Sequence, residues 1–107
     1  MTTLTRIARV VTVGATLGAA ARLYEEPHNP ARFWHLVAST LMAFHAVSRH
    51  ARYPKPISDH EAATAYLTLP VAVIAYRYGH GAIHAVWTII AALWSLATYL
   101  DRENEDS

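Results

Sequence analysis

The chain has 107 residues, 53% of them hydrophobic and only 16% charged, with a formal charge of +1. That length allows one domain, and so small a charge gives no bulk field for nucleic acid. The absence of cysteine excludes disulfide frameworks, thiolate metal sites and thiol catalysis. Charges sit at the ends of four uncharged runs: residues 10–21, 33–48, 62–76 and 79–100.

The first run, "VVTVGATLGAAA", follows Arg6 and Arg9 and precedes Arg22. Basic start, apolar run and Ala19, Ala20 and Ala21 together also describe a secretory signal peptide. It is read here as a retained first helix, near residues 4–24. Gly14 and Gly18 form a GxxxG pair, which lets two helices approach closely in lipid. They are expected either to pack inside the bundle or to join neighbouring protomers.

A second helix is expected near 31–51. Asn29 is its N-cap and Pro30 its first residue, and Pro54 and Pro56 stop it. A third is expected near 60–78. "SDHE", Ser58 to Glu61, is a capping box, and Gly79 can close the helix. Pro70 lies inside it and should kink it. The fourth is expected near 81–100, and its uncharged run alone reaches the ~20 residues that cross a bilayer. The other three reach that length if flanking Arg and Lys stems snorkel. Residues 101–107, "DRENEDS", read as a solvated acidic tail.

No run carries a charged stripe at helical spacing, as a surface helix of a soluble bundle would. The fold class expected is therefore an all-α, integral membrane four-helix bundle, with a soluble bundle as the alternative. Arg6, Arg9, Arg49, Arg52, Lys55 and Arg102 would share one side, and Arg22, Arg32 and Arg77 the other. The positive-inside rule then puts both termini in the cytoplasm of a bacterial cell. Tyr24, Phe33, Trp34, Tyr76, Tyr78 and Trp87 towards one boundary, and Tyr53, Tyr66 and Tyr99 towards the other, fit interfacial belts.

Each span has a small or weakly polar stripe. Helix 2 offers His35, Ser39, Ala43 and Ala46. Helix 3 offers Ala65, Thr68, Ala72 and Ala75, and helix 4 offers His84, Thr88, Ala91, Ser95 and Thr98. His35, Ser39, His84 and Thr88 are the expected polar contacts between helices. Threading places His28, His35, His80 and His84 near one membrane face, with Glu25 and Glu26 beside them. Imidazole and carboxylate are zinc-type ligands, so those four histidines are the candidate metal set. A bis-histidine haem on His35 and His84 is also imaginable. The expectation is nevertheless no metal and no cofactor: hydrogen-bonded packing for His35 and His84, water for His28 and His80. His45 is expected to be a separate packing group.

No phosphate-binding glycine loop, serine elbow or acid within a span is present, so no enzyme chemistry is expected. Short length, the basic start "TRIARV", the GxxxG-bearing first helix, tight loops and the tail "DRENEDS" together resemble small multi-span membrane proteins of bacteriophages, holins above all. The resemblance is one of architecture over the whole chain, and holins usually carry basic tails where this one is acidic. It implies a chain that accumulates in the cytoplasmic membrane, associates with copies of itself and opens lesions. Superinfection-exclusion proteins share the build and imply a module that engages another membrane protein. A small haem- or metal-binding subunit is the third reading. The partners expected are the lipid bilayer, further copies of the chain and a membrane protein, with no nucleic acid.

Overall fold

A computed structural model describes residues 2–106, with side chains described over 6–105. It contains four helices: α1 (Thr2–Glu25), α2 (Pro30–Arg52), α3 (Asp59–Tyr78) and α4 (Ala82–Asp106). No strand occurs among the described residues. The all-helical expectation holds, with boundaries moved by one or two residues except at the end of α4.

Local chemistry sets the starts. Asn29 Oδ1 accepts from the backbone N–H groups of Ala31 (3.0 Å) and Arg32 (3.3 Å), satisfying two donors that α2 cannot. At α3 the capping box forms in full. Ser58 Oγ accepts from Glu61 N–H at 3.2 Å, and Glu61 Oε1 accepts from Ser58 N–H at 3.1 Å. Gly79 closes α3 in an extended conformation, with φ −146°. It is glycine for want of space. A Cβ there would lie 2.8 Å from the Ala31 Cβ and 3.3 Å from His84 Cδ2. α3 runs through Pro70 as one helix.

Ser107 of the expected acidic tail lies outside the described residues, and residues 101–106 are instead the last turn and a half of α4. Two long-range contacts hold it. Glu105 accepts from the Ile57 N–H at 3.1 Å, and Arg102 donates to Asp59 at 2.8 Å. They tie the end of α4 to the α2–α3 connection and to the first residue of α3, so the acidic residues extend the helix.

The helices form an up-down bundle 44 Å long and about 22 Å across. α1 packs on α2, α2 on α3 and α3 on α4. Ring contacts join α2 to α4 across the middle. The core is Ala38, Met42, Ala72 and Ala91, flanked by Leu69, Val71, Trp87, Ile90 and Trp94. The largest side chains wholly out of contact with solvent are Met42, Thr68 and Ser39. Val10, Leu17, Phe44, Leu67, Ile89, Leu93 and Leu96 are all exposed. Small and weakly polar residues thus fill the inside while large apolar ones cover the outside.

Three of the four expected stripes face inward, including Ala65, Thr68, Ala72 and Ala75 of α3. The α1 stripe does not. Gly14 and Gly18 are exposed, and a Cβ on either would meet nothing within 4 Å. α1 turns Thr12 and Ala19 inward instead. Internal packing is therefore not what this glycine pair does. Among the described residues only α4, over Ala82–Glu105, is by itself long and apolar enough to cross a membrane.

Candidate functional site

The polar seam lies between α2 and α4, near the α1–α2 connection. His35 and Ser39 stand one turn apart on α2, and His84 and Thr88 one turn apart on α4. The rings of His35 and His84 meet edge to face, with centroids 5.3 Å apart, and His35 also lies 5.2 Å from the Trp87 ring. Thr88 Oγ1 donates to the His84 carbonyl at 2.8 Å and lies 3.4 Å from the Ala72 carbonyl of α3. The four residues expected to make polar contacts between helices are thus gathered, but ring contact takes the place of the expected histidine hydrogen bond.

Five buried polar atoms here have no protein partner: Arg22 Nη1, His35 Nδ1, Ser39 Oγ, His84 Nδ1 and Trp87 Nε1. Burying such groups unpaired is costly, so the seam is a locus for small polar ligands or ordered water. Its electrostatics decide the sign. The charges acting on His84 are Arg22 and Arg32. Glu25 and Glu26, expected beside it, are turned away: both pair with Arg32, at 3.5 and 2.7 Å. The Arg32 guanidinium also donates to the Arg22 carbonyl at 2.7 Å, which closes α1. With Arg32 engaged, the unpartnered Arg22 Nη1 and the Trp87 indole N–H suit an oxygen acceptor better than a divalent cation.

The four candidate metal ligands do not converge. His35 and His84 are buried together, whereas His28 and His80 are exposed, and the His80 ring meets that of Tyr76 at a tilt, with centroids 5.2 Å apart. Among the described residues no group of three or more His, Cys, Asp or Glu is placed to hold a metal ion. The direct contact of the His35 and His84 rings also fills the space a porphyrin would need between two axial ligands.

His45 is separate, as expected, and packs against Trp94, whose Nε1–H donates to His45 Nδ1 at 3.0 Å. The sequence gives no hint of that pairing, because the two residues are far apart in the chain and on different helices.

At the other end of the bundle lies a buried charge, on a residue whose sequence context marks only a helix cap. Glu61 is 3% exposed. Its carboxylate is paired with Arg49 at 3.0 Å and Arg52 at 3.1 Å. Burial by itself would raise its pKa. The hydrogen bonds from Ser58 and the guanidinium of Arg49 outweigh that and hold the carboxyl below its ordinary value of 4.5. Glu61 precedes the uncharged run of α3 and locks the α2–α3 connection. No protein-family model, curated protein or solved structure matches the chain.

Proposed function

We propose that the chain is an integral membrane four-helix bundle that associates with copies of itself and permeabilises the bilayer in the manner of a holin. The observation that carries the membrane part is the inverted distribution of side chains. In water, the hydrophobic effect drives Leu, Ile and Phe inward. Lipid removes that drive, and helices then pack through Gly, Ala, Ser and Thr. This bundle buries Ala38, Ser39, Ala65, Thr68 and Ala91 and exposes aliphatic or aromatic side chains on all four helices.

The same distribution accounts for the modest mean hydropathy of +0.15. Averaging along α1, α2 or α3 mixes an apolar outer face with a polar inner one, whereas the bilayer meets only the outer face. Hydroxyls agree with a dry setting: Thr12, Thr16, Thr40 and Thr64 each donate at 2.8 Å to a carbonyl one turn back in their own helix. The 44 Å long axis also matches a bilayer with its headgroups, ~40–45 Å.

Self-association is assigned to the bare α1 face at Gly14 and Gly18. Two tests separate the parts. Expressed chain should resist alkaline carbonate extraction from membranes, and recovery in the soluble fraction would refute the membrane reading. Induced expression should depolarise cells at a defined onset. Gly14→Ile with Gly18→Ile should leave insertion intact while abolishing crosslinked oligomers and depolarisation. A double variant that crosslinks and depolarises like the parent would refute the assembly.

A further inference from the structure

A second polar feature lies away from the His35–His84 seam. α1 packs on α2, and a cleft of about 650 Å³ opens between α1 and α4. Ala8 lines it from α1. His45 and Ala46 line it from α2, and Ile90, Leu93, Trp94 and Ala97 from α4. Its charged end carries Arg49, Asp101 and Glu105. The volume falls in the ~300–1,000 Å³ range of small-molecule sites, which pair apolar walls with a few polar groups.

His45 supplies such a group. It is 7% exposed and lines the cleft. Because Nδ1 accepts from the Trp94 indole, that nitrogen carries no proton, and the ring is the neutral tautomer with its hydrogen on Nε2. Nε2 is buried and has no protein partner. It is therefore a fixed donor, oriented by Trp94, that calls for an acceptor oxygen. The charged end restricts the acceptor further. Arg49 is already engaged by Glu61 and the Lys55 carbonyl, leaving Asp101 and Glu105 to repel an anionic headgroup.

We propose that this cleft binds an uncharged, lipid-soluble quinone, with a carbonyl oxygen accepting from His45 Nε2–H and the ring lying against Trp94. A flat ring with a carbonyl at its edge meets both the donor and the indole, and its alkyl chain leaves between α1 and α4. The ligand enters from the bilayer, so this inference rests on the membrane reading above, though not on permeabilisation.

The test uses the full chain purified in detergent, titrated with a short-chain alkyl para-benzoquinone and, separately, with dioleoylglycerol. Saturable one-to-one uptake of the quinone is expected. His45→Phe should weaken it at least tenfold. Ala97→Phe fills the cleft from an exposed position and should abolish binding with the helical spectrum unchanged. Val73→Phe, on an exposed face of α3 outside the cleft, should bind as the parent does. Absence of saturable quinone uptake, uptake of the glyceride alone, or undiminished uptake by Ala97→Phe would overturn the proposal. Should His45→Phe fail to fold, Ala97→Phe still decides. A chain recovered with soluble proteins refutes the membrane reading, whereas one that stays in membranes but takes up no quinone refutes this inference alone.

Discussion

Replacing Glu61 tests how the bundle is held at its charged end. The side chains of Glu61 and Arg49 are only 4% and 13% exposed, so this pair behaves as a buried one. Removing one partner of a buried pair costs about 3–5 kcal/mol, because the other charge stays buried. Arg52 is 40% exposed, and its contact adds no more than about 0.5 kcal/mol. Glu61→Gln keeps the shape and the acceptor for Ser58 N–H but loses the charge. Arg49 still donates to the Lys55 carbonyl at 2.8 Å, which moderates the loss to about 2–3 kcal/mol. Glu61→Ala also breaks the capping box and should cost about 1 kcal/mol more. Against a total stability of about 5–15 kcal/mol, either change is large. Thermal unfolding followed by circular dichroism in mild detergent at neutral pH measures both.

The pH dependence has a defined sign. The folded Glu61 pKa is depressed, so the unfolded chain takes up the proton more readily. Its contribution is complete above the ordinary value of 4.5 and is lost as pH falls through the lower folded value. Parent and Glu61→Gln should therefore differ at neutral pH and converge in acid. A Glu61→Gln variant within about 0.5 kcal/mol of the parent at neutral pH would refute the buried-pair argument. So would a gap that widens on acidification.

Gly79→Ala should destabilise by about 1–3 kcal/mol in the same assay, because its Cβ would meet Ala31 at 2.8 Å and force α2 or His84 to move. His84→Ala should cost about 1–3 kcal/mol through the lost contact with His35 and the void beside Gly79, while the exposed His80→Ala should stay within about 0.5 kcal/mol. Equal losses from the two histidine variants, with stoichiometric metal in the parent, would point to a shared metal site instead. For topology, a cysteine at His28 should react with an impermeant thiol reagent in intact cells and one at Glu103 should not. The reverse pattern would invert the bundle.

The sequence alone determined the four helices and three of their termini, the starts of α2 and α3 and the end of α3, because that chemistry is local. Asn29 with Pro30, Ser58 with Glu61, and Gly79 act within a turn of where they sit. It also marked the inward stripes of α2, α3 and α4, since helical spacing places residues on a face before any partner is known. It could not say which way the α1 stripe points. A GxxxG face reads alike toward a neighbour in the chain or away from it, and only the docking of α1 on α2 leaves Gly14 and Gly18 open. The tail misled for a similar reason. "DRENEDS" has the composition of a solvated end, but Glu105 and Arg102 find partners at Ile57 and Asp59, more than forty residues earlier. The threading that brought His35 and His84 together succeeded because both lie near the N-terminal ends of α2 and α4, which run parallel in an up-down bundle. Pairing Glu25 and Glu26 with Arg32, and His45 with Trp94, depends on helix rotation and rotamer choice. Those are set by packing across the whole bundle, and no short stretch of sequence records them.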